Sequence, residues 1–328
     1  MIVSAVTYHK LRTGDLPQFE QNLLDVLREP SAGDPMRPEV RWTNLSLKEM
    51  SRRFAEKGTP ASKRVLKTLG FVKRKAHKTL AMGDHPDRDT QFQNIAKLKQ
   101  EFLDAGLPVL SIDTKKKEFL GTFYRDGKLY SRDEVRVYDH DFPSFAEGQV
   151  IPYGIDDLAA NEAHVTIGTS HDTSEFACEC LAQWWEQHGR ERYPTATNLL
   201  LLCDGGGSNA SNRYVFKAEL QRLADRLGIE IRVAHYPPYS SKYNPIEHRV
   251  FPHVTRACQG VDFESVGHVS DLISRTQTQT GLTVTTFILD RVFELGRKIS
   301  DNFLETCRIL RDNVLPKWNY RALPTPIS

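Results

Sequence analysis

The chain has 328 residues, of which 39% are hydrophobic and 26% charged. That is the profile of a folded globular protein of about two domains, and it excludes disordered, collagen-like and disulfide-knot chains. The longest purely apolar run, Leu199 to Cys203, is far short of the roughly 20 residues of a membrane span, and no basic-then-apolar signal pattern opens the sequence, so a cytoplasmic, nucleoid-associated protein is expected. Five cysteines, Cys178, Cys180, Cys203, Cys258 and Cys307, form no C-x-x-C pair and read as reduced, mostly buried thiols.

The net charge of +2 is unevenly distributed. Residues 41–80 carry twelve Lys or Arg against two acids, while the rest of the chain carries 32 against 40. A compact positive segment on an otherwise acidic protein suits a polyanion-binding module, although a solvated basic helix face has the same composition.

In chain order, Leu16, Phe19, Leu23, Leu24 and Leu27 mark an amphipathic helix that ends before a Pro/Gly-rich stretch, Pro30 to Pro38, read as a linker; together they fill residues 1–40. Ser46 and Glu49 form a capping box, and Leu47, Met50 and Phe54 repeat at helical spacing up to a stop at Gly58. Thr59 and Pro60 predict the start of a second helix, with Ala61, Val65, Leu66 and Leu69 on one face and Ser62, Lys63, Arg64 and Lys67 on the other. Two short helices around a tight turn predict a helix-turn-helix in residues 41–80, against the plainer reading of a helical hairpin that touches no DNA. Lys73, Arg74 and Lys75 would extend its phosphate contacts. Phe92, Ile95, Leu98 and Phe102 mark a connecting helix in residues 81–106.

From residue 107 the periodicity changes. Val109 to Ile112 predicts a strand ending at Asp113, followed by strands over Phe119–Tyr124, Val135–Tyr138 and His164–Gly168. Thr173 or Ser174 caps a helix burying Phe176, Ala177, Cys180, Leu181 and Trp184. Leu199–Cys203 reads as a buried strand, Tyr214–Leu227 as a helix, and Ile229–His235 as an alternating strand. That order predicts an α/β domain with a mixed sheet over residues 107–328, completed by C-terminal helices.

Asp113 and Asp204 then stand at the carboxyl ends of predicted strands, and Glu247 at the start of a later helix. Three carboxylates with no Cys or His ligand pattern nearby suit hard cations such as Mg²⁺, and a metal pair stabilises both oxygens of an in-line phosphoryl displacement. The glycines after Asp204 leave room for a DNA backbone, and Lys115, Lys116 and Lys117 stand ready for phosphates beside Asp113. Each acid also has a plainer reading. Asp204-Gly205 fits a turn, Asn244-Pro245-Ile246-Glu247 fits a capping box, and Asp113 fits a solvated strand end. No G-x-x-x-x-G-K-[ST] is present, His235, His248 and His253 suggest no ligand set, and Trp184-Trp185 reads as core.

Three stretches, Ser111 to Glu118, Asp204 to Asn209 and Pro237 to Arg249, resemble the DDE transposases of the ISAzo-thirteen insertion-sequence family, relatives of the Tc and mariner group. Pro152-Tyr153-Gly154-Ile155, Trp184-Trp185, Thr276 to Gly281 and Trp318-Asn319-Tyr320 are similar to that family as well. The resemblance implies an RNase H-like mixed-sheet catalytic domain, preceded by the α-helical helix-turn-helix region. It also implies that Asp113, Asp204 and Glu247 are a catalytic, metal-binding triad for two Mg²⁺ or Mn²⁺ ions. The implied reaction is hydrolysis at the ends of the element followed by attack of the freed 3′-hydroxyl on target DNA. Its partners would be terminal inverted repeats and target DNA, bound by a homo-oligomer. The short stretch ahead of the helix-turn-helix keeps an alternative open: a truncated, inactive DNA-binding remnant or a repressor of a related element.

Overall fold

The computed structural model describes residues 21–22, 25–26, 31–34, 37–43, 45–68, 72, 83, 85–299, 303 and 307–326. The chain divides into two units, Met1–Leu80 and Ala81–Ser328. No helix among the described residues is long and apolar enough to cross a membrane.

In the first unit the Pro30–Pro38 stretch read as a linker forms the first strand and the turn of an antiparallel hairpin, β1 (Ser31–Asp34) paired with β2 (Arg37–Thr43), whose second strand runs on beyond it. Val40 and Trp42 alternate with Glu39, Arg41 and Thr43, a period of two that the Pro/Gly composition around it obscures. The apolar positions assigned to a helix from Leu16 to Leu27 lie outside the described residues, although Gln21, Asn22, Asp25 and Val26 are helical. Helix α1 (Leu47–Glu56) starts at Ser46, whose hydroxyl accepts from the Glu49 N–H at 3.2 Å. Helix α2 (Lys63–Thr68) begins later than Thr59-Pro60 predicts, because the Thr59 hydroxyl accepts instead from Asn22 Nδ2 at 2.9 Å. Met50, Phe54, Ala61, Leu66 and Val26 close a small core between these helices.

The second unit is built on one large sheet. Helix α3 (Arg88–Asp104) leads into β3 (Val109–Thr114), which is followed by β4 (Glu118–Leu120), β5 (Gly148–Asp157) and β6 (Glu162–Gly168). Helix α4 (Ser174–Trp184) precedes β7 (Asn198–Cys203), and α5 (Tyr214–Leu227) precedes β8 (Glu230–His235). Then come α6 (Pro245–Arg249), α7 (Phe251–Ala257), α8 (Val266–Ser274), β9 (Thr283–Leu289), β10 (Ile309–Arg311) and β11 (Asn319–Ala322). The order across the sheet is β10-β11-β8-β7-β3-β5-β6-β9, with β4 paired to β5. Strands β3, β7 and β8 are mutually parallel and β5 is antiparallel to both β3 and β6.

Side chains alternate across the strands, so each face builds its own core. Leu110, Ile112, Tyr153, Leu199, Leu201, Ile231 and Val233 pack under α4 and α5, with Trp184 and Trp185 in the same core. On the opposite face Val109, Leu200, Leu202 and Ala234 meet Ile95, Leu98 and Phe102 of α3.

Three sequence expectations change. The strand expected over Phe119–Tyr124 covers only Glu118–Leu120, and Val135–Tyr138 lies in the long connection to β5 rather than in a strand. Strand β5 itself carries no strand signal, because Pro152 and Gly154 interrupt it. It holds nonetheless, since the Pro152 carbonyl still accepts from the Lys115 N–H at 2.9 Å. Beyond α8, where helices were expected, the chain adds β9, β10 and β11 to the two edges of the sheet.

His164 on β6 is buried, with Nδ1 at 2.5 Å from Thr285 Oγ1 and its ring 4.1 Å from that of His188. Burial, with the nearby charges of His188 and Arg192, pushes its imidazole down to about 3. A depressed histidine contributes stability that is full above its unfolded value of about 6.5 and is lost as pH falls toward the folded value. The stability difference between wild type and His164→Gln should therefore shrink between pH 7 and pH 4, by at most about 1.4 kcal/mol per pH unit. Urea midpoints across that range check it, and a constant difference would refute it.

Candidate active site

Ser111 and Asp113 lie on the same face of β3, two residues apart. The Ser111 hydroxyl donates to Asn244 Oδ1 at 2.6 Å and accepts from the Ile246 N–H at 3.0 Å, while Asn244 Nδ2 donates to the Ile112 carbonyl at 3.0 Å. Ser111, Asn244 and Ile246 are fully buried. Asn244 precedes α6 as the capping-box reading requires, yet its side chain makes no capping bond, being committed to β3. Glu247 is thereby fixed next to Asp113 rather than folded back on its own helix.

Strand β5 makes the space for this. Gly154 pairs with Asp113 across the sheet, and a Cβ at Gly154 would stand 2.6 Å from Ile246 Cδ1 and 2.7 Å from Phe251 Cε1. Next along the same face, Asp156 pairs with Ser111 and accepts from Arg249 Nε at 2.9 Å, tying down the other end of α6. Asp156 is fully buried, and that burial pushes its carboxyl up to about 6 even against Arg249.

The three sequence-predicted acids converge. Asp204 follows β7, parallel and adjacent to β3, so both aspartates emerge at the carboxyl end of the sheet. Burial, the charges of Asp204 and Glu247 and a hydrogen bond shared with Glu247 push the Asp113 carboxyl up to about 8, against the pull of the Thr114 N–H. Asp204 is raised by burial and by the charge of Asp172. Asp204 also fulfils the plainer turn reading, because its Oδ1 accepts from the Gly206 N–H at 3.1 Å. The donors are all carboxylate oxygens, which suits a hard divalent cation, and mutual repulsion is what such a cation relieves. Among the described residues no group of three or more His, Cys, Asp or Glu is arranged so that it could hold a metal ion as it stands.

Other predicted residues behave differently. Lys115 is paired with Glu118 at 3.1 Å and is mostly buried, whereas Lys116 and Lys117 are exposed. Ser62, Lys63, Arg64 and Lys67 are exposed on or just before α2, while Lys73, Arg74 and Lys75 lie outside the described residues.

Two residues at the site escape sequence reasoning. Asp172, in the β6–α4 connection, accepts from Thr114 Oγ1 at 3.2 Å and is the fourth acid of the group. His235 ends β8 fully buried, its Nδ1 at 2.9 Å from the Asp204 carbonyl oxygen, and burial pushes it down to about 4. Nothing near Asp172 in the sequence marks it; His235 closes an alternating strand directly opposite Cys203, the residue before Asp204.

A core sheet ordered β6-β5-β3-β7-β8, with β5 alone antiparallel to its neighbours and acids leaving β3 and β7 at one end, is an RNase H-like catalytic domain. The family model of the Rhodopirellula transposase DDE domain matches residues 22–324, so the chain belongs to this family of transposases. Among solved structures it is similar to the Mos1 transposase paired-end complex with left transposon end, at 13% identity and a TM-score of 0.42, over 77% of this chain and 68% of that one. It is also similar to the Mos1 mariner paired end complex with Mn, at 14% identity and a TM-score of 0.41, over 78% and 75%. No curated protein matches the chain.

Removing the Ser111 hydroxyl strands the Ile246 N–H and the Asn244 carbonyl group in the interior. Ser111→Ala should cost about 1–3 kcal/mol, and Gly154→Ala a similar amount through overpacking against Ile246 and Phe251. Chemical denaturation measures both, and losses under about 0.5 kcal/mol would show that α6 is held by other contacts.

Proposed function

We propose that this protein cleaves DNA at the ends of an insertion sequence and joins the freed 3′-hydroxyl to target DNA, using Asp113, Asp204 and Glu247 as its catalytic carboxylates. The observation that carries this reading is the convergence of these acids at one end of the sheet, where burial and repulsion raise Asp113 to about 8. Asp113, Asp204 and Glu247 would hold Mg²⁺ or Mn²⁺. Bound divalent ions supply charge neutralisation at the attacking and leaving oxygens of an in-line displacement.

The side chains of the protein do the rest. The clamp from Ser111 to Asn244 holds Glu247 against Asp113, so the acids meet the phosphate already oriented. Lys116 and Lys117 stand exposed just beyond Asp113, placed to neutralise neighbouring phosphates. Gly205, Gly206 and Gly207 are exposed and carry no side chain, which lets a DNA backbone approach Asp204. Water attacks first and a DNA 3′-hydroxyl second, the displaced DNA oxygen leaving each time, so no bond to the protein forms.

In the first unit α1 and α2 are read as a helix-turn-helix that recognises the terminal repeats, with Ser62, Lys63, Arg64 and Lys67 facing the DNA. Lys73, Arg74 and Lys75 are assigned to backbone contacts from the sequence alone. The protein would act on its ends as a homo-oligomer.

A labelled duplex carrying the element's flanking repeat, incubated with Mg²⁺ or Mn²⁺, should be nicked at the repeat boundary. Asp204→Asn should lower that nicking at least roughly 100-fold, because partners of metal ligands alone are worth about 10–100-fold. Repeat-specific binding without cleavage by wild type would mean a DNA-binding remnant, and equal cutting of a scrambled duplex would mean a nuclease without end recognition. Replacing Lys63 or Lys67 with Ala should weaken repeat binding and reduce the slope of log K against log salt by about 0.9 per lost phosphate contact. Unchanged slopes would remove α2 from the DNA interface.

A further inference from the structure

The C-terminal motif Trp318-Asn319-Tyr320 is far from the three acids in sequence, yet it opens β11, which pairs antiparallel with β8. The Tyr320 hydroxyl lies 2.9 Å from His235 Nε2, and His235 Nδ1 lies 2.9 Å from the carbonyl oxygen of Asp204. Both side chains are fully buried. A carbonyl oxygen only accepts, so Nδ1 carries the imidazole proton and donates to Asp204; Nε2 is then a lone pair, and the Tyr320 O–H donates to it. The chain of donors has one direction, from β11 through β8 to the backbone of Asp204.

The same strand pair is locked from the other side. Gln91 of α3 donates to the His235 carbonyl at 2.9 Å and to Asn319 Oδ1 at 2.9 Å, and Asn319 Nδ2 returns a bond to Gln91 Oε1 at 2.7 Å. Gln91 and Asn319 are also fully buried. The loop after Asp204 is held further along by Ser174 Oγ, which donates to the Ser208 carbonyl at 2.7 Å, and by buried Lys217, which donates to the Ser211 carbonyl. Among the described residues, one side-chain bond reaches the Asp204 backbone from outside this loop, the one from His235. Three glycines follow it, and the Gly206 N–H bond to its Oδ1 ties the carboxylate to that same loop, so the bond from His235 is what ties the Asp204 backbone to β8.

We propose that Tyr320, acting through His235, is a positioning residue for Asp204, so that the C-terminal strand sets the geometry in which Asp204 takes a divalent cation. This rests on the reading of Asp204 as a metal-binding carboxylate. Plain core packing of Tyr320 would require the ring but not the directed hydroxyl, and that difference separates the two roles. Fixing a ligand's backbone through a buried hydrogen-bond chain acts on metal affinity in the way that second-shell partners do.

The test is Mn²⁺ binding by the full chain, read from the loss of the free-ion paramagnetic resonance signal, beside the Mn²⁺ concentration that half-saturates cleavage of the repeat duplex. Tyr320→Phe keeps the ring and removes the hydroxyl, and is expected to raise both values roughly 10-fold while repeat binding stays unchanged. His235→Leu should do the same, and His235→Asn, whose amide nitrogen can stand where Nδ1 stands, should recover most of the affinity. Wild-type Mn²⁺ affinity in Tyr320→Phe and His235→Leu, with Asp204→Asn devoid of binding, would overturn the inference and leave the triad intact. Wild-type Mn²⁺ binding in Asp204→Asn would instead overturn the reading of Asp204 as a ligand, and the inference with it. Should His235→Leu fail to fold, Tyr320→Phe and His235→Asn still decide between the outcomes.

Discussion

Everything at the carboxyl end of the sheet depends on how one short helix is seated on one strand. Ser111 donates to Asn244 and accepts from the backbone of Ile246, and Asn244 returns a bond to β3 at Ile112, so three hydrogen bonds made away from water join α6 to β3. Bonds of this kind contribute modestly when made, but the groups cost about 1–3 kcal/mol each when stranded in the interior. That asymmetry gives the seat its specificity: a shift of α6 by one residue would leave several buried groups unpaired. Gly154 is the matching steric condition, since any side chain there would occupy the volume filled by Ile246 and Phe251.

The seating carries an electrostatic cost. It sets Asp113 beside Glu247 and within reach of Asp204, and burial with these neighbouring charges pushes the Asp113 carboxyl well above the usual carboxylate range. A fold selected only for stability has no use for such an arrangement, and a cation-binding site has every use for it. The surrounding structure offsets the cost with the two cores on either face of the sheet and with Arg249, whose bond to Asp156 secures the far end of α6. The acidic group and its supports therefore form one construction, in which α6, β3 and β5 each supply one part of a shared face.

Much of this was legible in the sequence, and the parts that were not share a cause. The strand over Val109–Ile112 and the apolar run Leu199–Cys203 are recognisable because buried parallel strands need unbroken hydrophobic stretches, and the acids that end them follow directly. Strand β5 was hidden because Pro152 and Gly154 are poor strand residues locally, and they are tolerated by partners on both sides that no local window contains. Asn244 was readable only as a cap, since the capping pattern and the actual clamp to Ser111 use the same residue, and 133 positions of chain separate the two ends of that bond. The hairpin over residues 31–43 was misread for the related reason that composition outweighed the alternation of Val40 and Trp42.

The sequence by itself placed Asp113 and Asp204 at strand ends and Glu247 at a helix start, and it determined the mixed α/β order of the core elements and the concentration of positive charge in residues 41–80. Each of these is a property of neighbouring residues: period, composition and chain order. Only the tertiary structure decided that Asn244 serves β3 rather than its own helix, that Asp172 joins the acids, and that β11 returns to β8 so that Tyr320 reaches Asp204 through His235. Those are contacts between distant segments, set by which strands pair and by which groups cannot be buried alone, and a one-dimensional pattern carries no record of either.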